Sequence, residues 1–220
     1  MSYGILVKNS SGYIQIDDNY SNYTLIASGS VGVSASTVNQ VNPATVYFTD
    51  QPSPVVVCVG NTGGAVVALL TTSSSSVQFV SNANITVSYR IYANVANNPG
   101  PISGYGLVVR NASSQVVFNS NLTYMRVGQL TFSTVGYYSM PTVYHPYGNA
   151  YVDITNSGSR AFLTIASSPG LPSYAHGFGV NVGNGFWQYG QVVIWAAPGL
   201  VASGYWEAPN STLQAAVLAA

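Results

Sequence analysis

Charge is nearly missing from this chain. Of its 220 residues, 5% are Asp, Glu, Lys or Arg, and their formal sum is zero, where about 25% is typical of soluble domains. The five basic residues, Lys8, Arg90, Arg110, Arg126 and Arg160, are scattered along the sequence. They cannot build the cationic footprint that displaces counterions from nucleic acid, nor steer a charged substrate. A protein with no net charge tends to associate, so the composition predicts a surface covered by neighbours. The alternative is an extracellular domain kept in solution by neutral Ser, Thr, Asn, Gln and Tyr groups alone.

Cysteine is as scarce. Cys58 is the only one, which excludes an intrachain disulfide. Its place in the run Val55-Val56-Val57-Cys58-Val59 predicts a buried small hydrophobe, not a reactive thiol. No run approaches the 18 apolar residues of a membrane-crossing helix, so no membrane insertion is expected. The opening MSYGILVKNSSGY has neither the charged start nor the long apolar stretch of a signal peptide.

Groups for catalysis are thin. Asp17 and Asp18 are the only adjacent carboxylates, and successive strand residues point to opposite faces. The two histidines, His145 and His176, belong to no zinc-ligand spacing. The sequence contains no nucleophile elbow with a base, no phosphate-binding glycine pattern and no calcium loop. The expectation is a protein that is not an enzyme and that carries no cofactor and no metal. A glycan depolymerase would need two carboxylates converging in a cleft.

What the sequence does hold is Val, Ile, Thr, Tyr and Phe in short runs separated by Gly, Asn, Ser and Pro. That pattern predicts many short strands joined by turns. One hairpin is explicit: Tyr3-Gly4-Ile5-Leu6-Val7-Lys8, a turn over Asn9-Ser10-Ser11-Gly12, then Tyr13-Ile14-Gln15-Ile16-Asp17. It returns as Tyr105-Gly106-Leu107-Val108-Val109-Arg110, a turn over Asn111-Ala112-Ser113-Ser114, then Gln115-Val116-Val117-Phe118-Asn119. The stretch from Val55 to Leu70 resembles that from Ala150 to Ile165, and Ile85–Tyr92 resembles Tyr189–Trp195 as a closing strand. Internal repetition of this kind predicts an all-β fold of two tandem antiparallel β-sandwich-like units, 1–98 and 102–204. Asn97-Asn98-Pro99-Gly100-Pro101 would link them. The remaining segment, 205–220, is expected as a C-terminal arm whose Ala-rich end forms a short docking helix or an extended strap.

Aromatic residues, 17 Tyr, 7 Phe and 3 Trp, supply the candidate contact groups. Tyr137, Tyr138, Tyr144, His145 and Tyr147 lie in one Tyr- and Pro-rich stretch, Tyr174 and His176 in another, Phe186 and Trp187 in a third. Exposed Tyr and Trp suit interfaces, because they bury large area at low entropic cost, and they stack on sugar faces. The competing reading is that most of these rings fill the core.

The opening MSYGILVKNSSGYIQID resembles the start of a family of small tail proteins of long-tailed bacteriophages. The stretch from Tyr105 to Asn119 and Leu122-Thr123-Tyr124-Met125-Arg126-Val127 resemble the same motif. Ser114 departs from it, standing where the first hairpin has a turn glycine. The resemblance implies a virion protein of the tail tip or baseplate, made in the host cytoplasm, and implies no catalytic residue. Its partners would be other phage tail proteins and further copies of itself, with a homotrimer expected. A receptor- or glycan-binding module that touches the host surface is the alternative.

Overall fold

The computed structural model describes residues 6–8, 14–17, 22–37, 40–52, 55–102, 105–135, 142–146, 150–155, 161–164, 173–197 and 211–218. Among them every regular element is a β-strand and every strand pair is antiparallel, so the fold is all-β. The first half supplies β1 (Leu6–Lys8), β2 (Ile14–Asp17), β3 (Tyr23–Val33), β4 (Ala44–Tyr47), β5 (Val56–Val59), β6 (Val67–Thr72), β7 (Ser76–Ser81) and β8 (Ile85–Asn94). The second supplies β9 (Val108–Arg110), β10 (Val116–Asn119), β11 (Val127–Val135), β12 (Thr142–Tyr144), β13 (Tyr151–Asp153), β14 (Ala161–Thr164), β15 (Ser173–Gly183), β16 (Phe186–Ala197) and β17 (Ser211–Leu218).

Both sequence hairpins form two-stranded sheets, β1–β2 and β9–β10, and each ladder carries a register irregularity. In the second, Ser114 takes φ 62°, the left-handed region that costs an L-residue roughly 1–2 kcal/mol. Its neighbours hold it there. Asn111 Oδ1 accepts the N–H groups of Ser113 and Gln115, each at 3.0 Å, and Arg110 Nη1 donates to the Ser114 carbonyl at 2.8 Å.

The larger strands form two sheets. One has the order β11-β17-β13-β5-β8-β3, and the other β12-β16-β15-β6-β7-β4, with β14 added beside β15. Each half of the chain gives three neighbouring strands to the first sheet and three to the main order of the second. The halves meet at β5–β13, where Cys58 faces Asp153 and Val59 faces Val152, and at β6–β15, where Val67 faces Val180. If β3, β8 and β5 are matched with β11, β17 and β13, and β4, β7 and β6 with β12, β16 and β15, each order is the same from either end.

Three expectations change. The halves share both sheets, so 1–98 and 102–204 do not close as separate sandwiches. Residues 211–218 are neither helix nor loose arm: β17 lies between β11 and β13, the place β8 holds in the other half. Under that matching β17, not β16, corresponds to β8, and β15, not β14 of the 150–165 stretch, corresponds to β6.

One core lies between the sheets. Val57, Val59, Val87, Ile91 and Val152 of the six-stranded sheet pack with Val67, Val77, Phe79, Val182 and Trp187 of the other. Burying each such side chain is worth about 1.5–3 kcal/mol. β5 reads as an unbroken apolar run because both its faces are covered. Val57 and Val59 point into this core, and Cys58, fully buried, points away from it into a second cluster with Tyr92.

That second cluster exists because the six-stranded sheet is coiled. Residues 123–125 run along the outer edge of β3: Leu25 N–H donates to Thr123 O at 2.8 Å, and Met125 N–H to Tyr23 O at 2.9 Å. Yet β11, two residues after Met125, stands at the opposite end of the strand order. Two residues span about 7 Å, whereas the outermost of six flat strands would lie about 24 Å apart. The sheet therefore curls its edges together, and Met125 packs with Tyr23, Leu25, Val56 and Tyr151 over Cys58 and Tyr92.

Candidate functional site

The group Gly185-Phe186-Trp187-Gln188-Tyr189 enters β16, and the strand pleat divides it. Trp187 and Tyr189 turn inward, buried, with rings edge to face at 4.8 Å. Phe186 turns the other way. It pairs across the strand with Tyr144 of β12 and, on its other side, with Gly183 of β15. The Phe186 ring lies over Gly183: a Cβ there would sit 2.2 Å from the ring, so only glycine fits under it. Tyr144 is 76% exposed. Together Tyr144, Phe186 and Gly183 form an aromatic face at the end of the seven-stranded sheet's outermost strand.

Of the residues singled out in the sequence, the structure thus brings Tyr144 and Phe186 onto one surface. Trp187 is not a surface contact; it fills the inter-sheet core, 0% exposed. His145 is also buried, its main-chain N–H donating to Gly185 O at 2.9 Å. Tyr174 and His176 lie on β15, backbone-paired with Ala196 and Val193. Tyr137, Tyr138 and Tyr147 fall outside the described residues.

The inward pair has its own cost. Trp187 Nε1 and the Tyr189 hydroxyl are buried without a hydrogen-bond partner, which costs roughly 1–3 kcal/mol per group. Burial pushes the Tyr189 pKa far above its ordinary value, and the nearby Asp153 charge adds to the rise.

A second constellation sits in the concave face of the coiled sheet. Arg90, Cys58 and Asp153 occupy one cross-strand row over β8, β5 and β13. The Arg90 guanidinium stacks 4.1 Å from the centre of the Tyr151 ring, and its positive charge lies close enough to act on the Tyr92 hydroxyl. Burial raises the Tyr92 pKa, although Arg90 pulls it down. Burial, and next the Asp153 charge, push the Cys58 thiol well above its usual range, so it stays protonated and a poor nucleophile. Asp153 is raised too, chiefly by burial, although its Oδ1 accepts from Thr155 N–H at 2.8 Å and from the Thr155 hydroxyl at 2.5 Å. The Thr155 hydroxyl in turn accepts Val57 N–H at 2.9 Å. This row ties the two halves of the chain together at their meeting line. Sequence reading placed Cys58 in the core and matched its segment to that of Asp153, but nothing local indicated that Arg90 would cover them.

Among the described residues no group of three His, Cys, Asp or Glu could hold a metal ion, and there is no helix long and apolar enough to cross a membrane. A single carboxyl next to a protonated thiol offers no acid–base pair. The exposed aromatic face offers flat apolar area with a hydroxyl at its edge, which is chemistry for contact. No protein-family model, no curated protein and no solved structure matches this chain.

Proposed function

We propose that this chain is a structural virion protein of a bacteriophage tail tip or baseplate, acting through contact surfaces and not by turning over a substrate. The Tyr144–Phe186 face carries the reading: an exposed Tyr144 on the outermost strand beside a half-buried Phe186 on the next, in a chain with few charged residues to keep partners away. Tyr47 is 79% exposed at the end of β4, the opposite outermost strand of the same sheet, so both edges present a tyrosine. The hairpin resemblance at Tyr3–Asp17 and Tyr105–Asn119 supplies the virion context.

Such a protein binds by burying apolar area ringed by hydrogen-bonding hydroxyls and amides, at about 800 Å² or more per partner. Its neighbours are other tail proteins and its own copies, in a homotrimer. Light scattering on the purified chain tests this. We expect about three chain masses, falling to one in Tyr144→Ala. A wild-type monomer at about 100 μM, well above the Kd of a stable assembly, would overturn the proposal.

A further inference from the structure

The aromatic face lies at the end of the sandwich where β5 turns into β6, β7 into β8 and β15 into β16. Between the first two of these turns is an open cleft of about 420 Å³, walled by Gly63, Gly64 and Ala65 on one side and by Asn82, Asn84 and Ile85 on the other. The first wall is a tight two-residue turn. Ala65 N–H donates to Thr62 O at 3.0 Å, and Gly63 and Gly64 take φ 59° and 92°, the positive pair that such a turn demands. A Cβ at either glycine would meet nothing within 4 Å, so this wall is bare backbone facing open space. Thr62 anchors it. Fully buried, it donates its N–H to Val182 O at 2.8 Å and its hydroxyl to Ala65 O at 2.6 Å, and its hydroxyl oxygen accepts Val182 N–H at 3.0 Å.

The second wall carries two oriented amides. Val66 N–H donates to Asn82 Oδ1 at 2.9 Å, and Ala35 N–H donates to Asn84 Oδ1 at 2.8 Å. A backbone N–H can only donate, so the atom facing it must be the oxygen. Each planar side chain then turns its NH2 away from the protein backbone that holds it. Both asparagines are exposed. The cleft lining thus includes two uncharged amides two residues apart, each held by its oxygen, together with the apolar Ala65 and Ile85.

We propose that this cleft binds an uncharged saccharide, with the Asn82 and Asn84 amides donating to its hydroxyl or acetamido oxygens and Ile85 against its C–H face. An anionic ligand would find no cation in the lining, and a purely apolar one would strand the two amides. With no aromatic ring in the cleft itself, affinity is set by a few hydrogen bonds and one small apolar contact, and a Kd of about 1 mM or weaker follows. Residues 156–160, which the sequence comparison sets against 61–65, lie outside the described residues.

The test is an NMR titration of the isotope-labelled chain with N-acetylglucosamine and with glucose. The side-chain NH2 signals of Asn82 and Asn84 should move and saturate with at least one of them. Asn82→Asp and Asn84→Asp each keep an oxygen for the backbone N–H and replace the outward donor by an acceptor. Together they should weaken binding at least about 10-fold while the thermal midpoint holds. Ala83→Leu, which fills the cleft and leaves both amides in place, should do the same. No saturable shift with either sugar up to about 50 mM, or binding that survives the paired Asp variant, would overturn the proposal. The chain mass in solution is unaffected by these variants, so failure here leaves the assembly reading to its own test.

Discussion

Trp187 fills the space between the sheets beside Tyr189 and Val182, and no smaller side chain can occupy its volume. Trp187→Ala should cost about 3–5 kcal/mol, the range for emptying a buried aromatic site, read as a lower urea midpoint. Tyr144→Ala removes a ring of comparable size from an exposed position and should change stability by less than about 0.5 kcal/mol; equal losses would mean that Tyr144 is packed like core. Asp153 gives a pH-dependent outcome. Burial raises its folded-state pKa above the ordinary 3.8, so the native chain holds this proton more tightly than the unfolded chain. Stability therefore declines as pH climbs from the ordinary carboxyl range through the raised value. Asp153→Asn should remove that decline, leaving the variant more stable than wild type at about pH 7 and level with it at about pH 3. A variant less stable at neutral pH would show that the charged carboxylate earns its place through Thr155.

Among the elements, β17 has the largest lever. It bonds β11 along Ser211–Leu218 and β13 at Val217 and Leu218, so its loss strips the ladder groups of two strands at once. A chain ending before Ser211 should show no cooperative thermal transition, and a synthetic 211–218 peptide should restore one; cooperative unfolding of the truncated chain would refute a structural role. The two hairpins were legible in the sequence because turn residues and alternation are local. β17 was not. Leu213, Gln214, Ala215, Ala216 and Leu218 favour helix by intrinsic propensity, and only the ladder bonds of flanking strands impose the extended form. The aromatic site was half legible: composition marks the 185–189 group, but which alternate residues face inward depends on Val180 and Val182 across the ladder. Arg90, Cys58 and Asp153 were illegible as a unit, since they meet only through pairing of the halves.

At the scale of the molecule, the two halves form one continuous pair of sheets around one core. The matched order of strands is what a duplicated unit joined edge to edge would give, and it puts exposed tyrosines on both outer strands, Tyr47 and Tyr144. With zero net charge, the proposed assembly would have contact area, not field, as its means of selecting neighbours.

The central pairs β5–β13 and β6–β15, and the edge seal on β3 by residues 123–125, have a consequence for biosynthesis. A nascent chain emerged as far as Asn98 holds β3 and β5 paired with β8 and β6 paired with β7, while the partners of their other edges, residues 123–125, β13 and β15, are still to come. Three raw margins of sheet then wait, sticky toward any passing strand, until those segments are made. Closure of these three margins thus waits for residues 123–125, β13 and β15, and the hazardous interval is the time needed to make them.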